Sequence, residues 1–256
     1  MKYLIVGNWK MHLNPGEASL LVKRLEQHVE IRPETEVVIC PPFIDLYSLS
    51  KEIDHKKFKL GAQNAHHIDE GAFTGEISTA MLKGLVKYVI IGHSERRAMG
   101  ETDTLVAQKV AAAVRNDLIP ILCVGENLHD RNHKLSINVI TDQLTAGLSL
   151  LTAEDVAKVV VAYEPIWAIG AGTPATPAQI KPSITAIRTT IEELYGESSS
   201  GRTRIIYGAS VAAEFVTSIL SVNGVEGLLS GGASLNFAEF SNIIAATQKF
   251  SQHSVL

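Results

Sequence analysis

Val159-Val160-Val161-Ala162-Tyr163-Glu164-Pro165-Ile166-Trp167-Ala168-Ile169-Gly170-Ala171-Gly172 is an apolar run that ends in a carboxylate and a glycine-bearing loop. The apolar half reads as a strand, with Glu164 emerging at its C-terminal end. Pro165 and Trp167 fix how the chain leaves that strand, while Gly170 and Gly172 supply backbone freedom and exposed amides. A carboxylate on a rigid strand, followed by a segment that can fold over it, is how a general base is placed under a lid. An arbitrary strand-end Glu is more often a solvated residue, but the loop that follows argues otherwise here. Burial beneath Ile169 would strengthen it as a base.

The same organisation recurs along the chain. Beside Lys158–Ala162, the strand candidates are Tyr3–Gly7, Glu36–Cys40, Phe58–Gly61, Tyr88–Ile91, Ile119–Val124, Arg204–Tyr207 and Val225–Leu229. Helical signals lie between most of them. Asn14-Pro15-Gly16-Glu17 offers an N-cap, a first-turn proline and a carboxylate at the third position. Thr176-Pro177-Ala178-Gln179 repeats that logic, as do Asn236 and Glu239, and Leu105–Val114 is alanine-rich without a breaker. Alternating strands and helices imply βαβ units and a parallel sheet. Eight units in 256 residues match an α/β chain folded as one (β/α)8 barrel domain over residues 1–256. No linker divides the chain, and Gly196–Gly201 reads as a short polar turn. A doubly wound open sheet is the competitor, because periodicity alone cannot close a barrel.

The strand ends favour the barrel. They carry Asn8 and Lys10, Pro41-Pro42, Gln63-Asn64, His93 with Glu95, Gly125-Glu126, Glu164, Gly208 with Ser210, and Gly231-Gly232. In a barrel these ends converge on one face, where active sites are built. An open sheet would spread them along an edge.

Composition narrows the classes. Apolar residues make up 46% and charged residues 20%, an ordinary balance for a globular protein with a sizeable core. A net charge of −4 shows no broad basic surface, so no nucleic-acid partner is expected. No apolar run approaches the ~20 residues of a membrane span, and the apolar run before Gly7 is too short for a signal peptide. Cys40 and Cys123 both lie in apolar runs and read as buried free thiols in a reducing compartment. The expected location is cytoplasmic.

Among the chemical candidates, His93 precedes Ser94, and a helical turn starting there would aim its amides at the imidazole and disfavour the protonated form. A neutral ring could donate to a substrate oxygen, although a lone His after a strand is more often structural. Lys10 would usually be a surface lysine, yet its place beyond the first strand, next to Asn8, makes an inward charge plausible, with Glu95 as its natural partner. Gly208-Ala209-Ser210 and Gly231-Gly232-Ala233-Ser234 follow the seventh and eighth strands, where barrels bind phosphate through backbone amides. A dianionic phosphate ligand is expected. There is no GxGxxG or Walker pattern, and no Gly-x-Ser-x-Gly elbow. His66-His67 with Asp69 lacks the further ligands of a metal site, so no metal is expected.

These motifs together resemble the triosephosphate isomerase family. They are Gly7-Asn8-Trp9-Lys10-Met11, Gly61-Ala62-Gln63-Asn64, Gly71-Ala72-Phe73-Thr74-Gly75-Glu76, Ile91 to Arg97, Cys123-Val124-Gly125-Glu126, Tyr163 to Gly172, and Ser230 to Leu235. The resemblance runs in order from residue 5 to about residue 240. It implies a TIM barrel that interconverts dihydroxyacetone phosphate and D-glyceraldehyde 3-phosphate, a step of glycolysis and gluconeogenesis, with no metal or organic cofactor. It makes Glu164 the base, neutral His93 the electrophile, Lys10 the fixed positive charge with Asn8 beside it, and Glu95 the holder of Lys10; a Glu and neutral His are the family's established pair. It makes Gly170, Ser210, Gly231 and Gly232 phosphate donors. The lid runs from Pro165 to about Ala175, with Ile169 and Leu229 clamping Glu164. It also implies a homodimer through the Ala65–Ser78 loop, with Thr74 reaching toward the neighbour's Asn and Lys.

Four departures stand out. Ala209 replaces a usual glycine and would strain the loop by roughly 1 kcal/mol if positive φ is needed there. Pro174 lies in the lid's C-terminal hinge, Ser230 puts a hydroxyl near the clamp, and Arg97-Ala98-Met99-Gly100 is one residue short. Three other readings compete: an isomerase of a four-carbon sugar phosphate, a phosphate-binding barrel without catalysis, and a structural or adhesive surface. The complete motif set argues for the triose, and intact Glu164, His93 and Lys10 argue for catalysis.

Overall fold

Each apolar run becomes a parallel strand, and each connection carries the chain back to begin the next. The structure, a computed structural model, describes residues 2–253. The strands are β1 (Tyr3–Asn8), β2 (Thr35–Cys40), β3 (Phe58–Ala62), β4 (Tyr88–Ile91), β5 (Ile119–Val124), β6 (Val160–Tyr163), β7 (Arg204–Ala209) and β8 (Gly227–Ser230). They pair in sequence order, and β8 returns to β1 with Leu4 opposite Gly227, so the barrel is closed. That seam needs a glycine: a Cβ on Gly227 would lie 2.0 Å from the Leu4 carbonyl oxygen. Helices wrap the outside, as parallel strands with long crossovers require.

Two layers of apolar side chains follow from strand alternation. Leu4, Val6, Val38, Ile90, Ile121, Val160 and Ile206 fill the barrel interior. Ile5, Val37, Val161, Tyr163 and Ile205 pack outward, in the same layer as Leu25, Val110, Leu144, Ile187 and Phe240 from the helices. Each fully buried aliphatic side chain is worth roughly 1.5–3 kcal/mol. A one-residue slip in β6 would exchange its two faces and turn Glu164 out of the barrel, so core burial also aims that carboxylate.

Local signals set the helix starts. Asn14 Oδ1 accepts from Gly16 and Glu17 amides, and Glu17 Oε2 accepts the Asn14 amide at 2.9 Å, a reciprocal cap on the helix Pro15–His28. Gln179 likewise accepts the Thr176 amide at the start of Pro177–Tyr195. Asn236 caps Glu239 at 3.0 Å, but the Glu239 carboxylate turns away to the Ala213 amide at 2.7 Å.

The barrel floor is ionic. Glu36 meets Lys87 at 2.6 Å, the Tyr88 hydroxyl at 2.9 Å and Arg204 at 3.3 Å. Burial raises its carboxyl, but Lys87, Tyr88 and Arg204 outweigh that and hold it below its ordinary value.

The structure corrects several expectations. β6 starts at Val160 because Lys158 and Val159 still donate backwards in a turn, to Asp155 and Val156. β8 starts at Gly227 because Val225 donates to Val222 in the same way. Gly196–Gly201 is not merely a turn. Gly196, at φ 84, ends one helix, and Glu197–Arg202 forms another. Ser199 and Ser200 are buried, Ser199 donating to the Ala153 carbonyl and Ser200 to that of Arg188. Ala209 is not at positive φ, being the last residue of β7 opposite Ser230, so the condition for strain there is not met. Ser230 does not reach the clamp. Alternation sends it outward with Leu228 while Leu229 faces in, and its buried hydroxyl finds no hydrogen-bond partner.

Candidate active site

The C-terminal ends of the strands surround a cavity of about 360 Å³. Asn8, Lys10, His93, Glu164, Gly170, Ser210, Gly231 and Gly232 all line it, so the barrel brings together side chains that lie far apart in sequence. Glu95 stands behind them, touching Lys10.

Lys10 follows β1 with φ 53, a left-handed backbone that costs a side-chain-bearing residue roughly 1–2 kcal/mol. Two side chains offset that cost. Asn8 Oδ1 accepts the Lys10 amide at 3.0 Å, and Gln63 donates to the Lys10 carbonyl at 2.8 Å and to that of Cys40 at 2.9 Å. The bend points the ammonium to Glu95 Oε1 at 2.6 Å and lays the Lys10 stem within 3.4 Å of where a Gly231 Cβ would stand. Burial raises the Glu95 carboxyl, but the hydrogen bond and charge of Lys10 prevail and lower it overall.

His93 is buried and stands directly before the helix Ser94–Ala98. The Glu95 amide donates to its Nδ1 at 3.2 Å. An imidazole accepting there carries its single proton on Nε2, and Nε2 lies 3.2 Å from Glu164 Oε1. Glu164 is 3% exposed, its other oxygen accepting the Ser94 amide at 3.2 Å. Behind it, burial and then the charge of Glu164 push the Cys123 thiol far above its ordinary value, so it is no nucleophile. The Glu164 backbone is seated against Gly125, where a Cβ would fall 1.8 Å from the Glu164 carbonyl oxygen.

The other side of the cavity is built of backbone. Gly232–Leu235 is a 3-10 turn beginning at the cavity wall, so its first amides have no partner within the turn. Ser210, which follows β7 beside that turn, and Gly170 also line the cavity, and Ile169 and Leu229 supply the apolar walls. Amides, a serine and a lysine beside an apolar wall suit a small phosphorylated molecule.

The segment from Pro165 to Ala175 is anchored at both ends and exposed in the middle. At its start, Trp167 Nε1 donates to Glu126 at 2.8 Å and the Ile166 amide to the Glu126 carbonyl at 3.0 Å. Ser210 Oγ donates to the Ala168 carbonyl at 2.8 Å. At its end, next to half-buried Pro174, the Ala175 amide donates to the Tyr207 hydroxyl at 2.9 Å. Burial pushes that phenol up to about 12. Residues 170–173 between these anchors are exposed, the arrangement of a lid on fixed stems. Of the residues outside the predicted set, Gln63 and Glu126 were visible as polar strand ends. Tyr207 carried no signal within its strand, and neither did Arg131, which flanks Glu126 from the next helix.

Beside this cavity lies a second, of about 260 Å³, which shares Lys10 and His93 and is walled by Met11, Phe43, Gln63, Asn64, Glu95 and Met99. Asp69 is committed to Arg115 at 2.9 Å and Asn116 at 2.8 Å, and the His66–His67 pair stands apart from both cavities.

A family model described as triosephosphate isomerase matches residues 3–247. The triosephosphate isomerase of Thermoanaerobacter pseudethanolicus is 44% identical over 243 residues, covering 94% of this chain and 98% of that protein. That of Caldanaerobacter subterraneus subsp. tengcongensis is 45% identical over 243 residues, with the same coverage. That of Clostridium tetani is 45% identical over 245 residues, covering 95% of this chain and 96% of that protein.

Proposed function

The chain belongs to the triosephosphate isomerase family, and from that premise we propose that it interconverts dihydroxyacetone phosphate and D-glyceraldehyde 3-phosphate with its own residues alone. The observation that carries the reading is the 3.2 Å approach of Glu164 to His93 Nε2 in a cavity that Lys10 and the Gly231-Gly232 amides also line.

The phosphate binds the amides of Gly170, Gly231 and Gly232 together with Ser210, which places the three-carbon chain toward Lys10, with Asn8 at its side. Glu164 exchanges the Ser94 amide for the carbon next to the carbonyl and takes its proton. The electrons move to the carbonyl oxygen, giving an enediolate. Lys10, held by Glu95, balances that negative charge, and the His93 Nε2 proton is donated to the forming oxyanion. The ring then takes the proton of the neighbouring hydroxyl, and Glu164 returns its proton to the other carbon. A charge-bearing site out of water makes these interactions stronger, and an enediolate left open would expel phosphate, so the lid must close for the reaction to be clean.

A coupled isomerase assay on wild type and Glu164→Gln tests the reading. Turnover is expected from the first alone, with a phosphate analogue still bound by both. Wild-type protein that binds the analogue without turnover would instead be a binding barrel, and faster turnover of a tetrose phosphate would move the substrate class.

The same reading takes residues 1–256 as one domain and pairs two copies through the Ala65–Ser78 loop, with Thr74 of each reaching the other's Lys10 region. Support comes from the second cavity, whose rim carries Met11 at 93% exposed and Met99 at 76%. Apolar side chains that open beside a reaction centre fit a subunit contact. Sedimentation finding a fully active monomer at micromolar concentration would sink this. Among the described residues no helix is long and apolar enough to cross a membrane. A cytoplasmic location fits that, and it fits the two buried free cysteines.

A further inference from the structure

Glu126 is fully buried, and its carboxylate accepts from the Tyr163 hydroxyl at 3.2 and 3.3 Å, from Trp167 Nε1 at 2.8 Å and from Arg131 Nη1 at 3.4 Å. Tyr163 ends β6 and Trp167 opens the lid, so this one carboxylate ties the strand carrying Glu164 to the lid's stem. A buried carboxylate is stable in its ionised form only where a cation or several donors answer it. Among the described residues, Arg131 is the cation within ion-pair distance of Glu126. Its guanidinium carbon also lies 4.1 Å from the centroid of the Trp167 ring. The indole is therefore held twice: edge-on by Glu126 through its N–H, and on its face by Arg131. Arg131 itself is seated on the helix Leu128–Asn132, whose start is closed by reciprocal bonds between Asn127 and Asp130.

We propose that Arg131 is a positioning residue of the isomerase reaction, acting through Trp167 and Glu126 to set the lid's N-terminal stem. It does not line the catalytic cavity, so it touches no substrate. Its effect passes along the lid to Ile169 and Gly170, the apolar cover of Glu164 and the phosphate contact. Without the guanidinium, the indole loses the plate on its face and Glu126 loses its countercharge. The stem then no longer returns Gly170 to one place, and phosphate binding and turnover weaken together. The inference rests on the proposed lid and phosphate roles.

The test uses Arg131→Met, which keeps length and loses charge, and Arg131→Lys, which keeps charge and loses the planar stack. Kinetics on triose phosphate are read beside 19F spectra of protein labelled with 5-fluorotryptophan. The chain has two tryptophans, Trp9 and Trp167, and the Trp167 resonance is assigned as the one lost in Trp167→Phe. For Arg131→Met, kcat/KM is expected to fall about tenfold through both a higher KM and a lower kcat, with Arg131→Lys in between. The Trp167 resonance should shift in the free protein and need more glycerol 3-phosphate to reach its bound position. Wild-type kcat, KM and Trp167 titration in Arg131→Met would overturn the proposal, whatever happens to its melting temperature. If Arg131→Met does not fold, the same wild-type result in Arg131→Lys overturns it. Should wild-type protein show no isomerase turnover, the functional reading fails, while the fluorine titration still decides whether Arg131 sets the stem.

Discussion

Gly125→Ala should damage catalysis without removing any group that meets substrate, by displacing the backbone that carries Glu164. The added Cβ would stand 1.8 Å from the Glu164 carbonyl oxygen, 2.6 Å from its carbonyl carbon and 3.2 Å from its Cα. The gap from 1.8 Å to the 3.0 Å that real contacts demand is about 1.2 Å, and both sides of it are backbone. Neither side yields freely. The Glu164 amide is bonded to the Val124 carbonyl at 2.8 Å, and the Gly125 amide to Gln143 at 2.8 Å. Misplacing a reacting group by about 1 Å costs on the order of 100-fold in rate. Overpacking of this kind costs roughly 1–3 kcal/mol, or roughly 2–12 °C in melting temperature for a chain of this size. Steady-state kinetics and thermal unfolding would be measured beside Gly201→Ala, where the added methyl meets nothing within 4 Å. Affinity for glycerol 3-phosphate should fall less than turnover, because Ser210, Gly231 and Gly232 hold the phosphate from β7 and β8 and Gly170 alone follows β6. Folded Gly125→Ala protein with wild-type kcat/KM would refute the claim that this contact seats the base.

Other expectations follow from individual contacts. Ser230→Ala removes a buried hydroxyl that has no partner, so it should be neutral or stabilising by about 1 kcal/mol in denaturant unfolding; a clear loss would mean that the hydroxyl is bonded in solution. Glu36→Gln should lower the melting temperature at neutral pH and leave kcat unchanged, since Glu36 sits at the floor of the barrel. Because the folded Glu36 carboxyl lies below its ordinary 4.5, its contribution is complete above that pH and is lost as pH falls through the lowered folded value. The gap between wild type and variant should therefore close in acid, and a gap independent of pH would assign the effect to packing. Pro174→Ala frees the residue before the Ala175 anchor and should change lid exchange and turnover more than stability; unchanged exchange and turnover would remove Pro174 from the hinge.

The chain's own pattern carried much of this. β4 and β5 begin and end where the apolar runs do, and the other strands differ by one or two residues at their ends, where turns compete with pairing. The caps at Asn14, Thr176 and Asn236 are contacts between residues three apart, so their partners are legible in the order of residues. Ser230 was read wrongly in direction because a hydroxyl next to Leu229 in sequence is on the opposite face of the strand. The strain that a positive φ would bring at Ala209 does not arise because β7 runs two residues past Tyr207, so the loop after it starts at Ser210. The helix Glu197–Arg202 hid in a serine and glycine run because its stability comes from carbonyls of Ala153 and Arg188, which composition does not reveal.

Periodicity, turn residues and the ordered motifs by themselves determined the alternation of strands and helices, and Glu164, His93, Lys10 and the glycine pair as the candidates. These are local properties, fixed by which faces are apolar and which residues bend the chain. Only the tertiary structure decided that Lys10 meets Glu95, that His93 presents Nε2 to Glu164, and that Glu126, Tyr163, Trp167 and Arg131 form one anchor under the lid. Those distances depend on the closure of β8 onto β1, which turns separate strand ends into a single rim, and no local pattern encodes how far apart two points on that rim will lie.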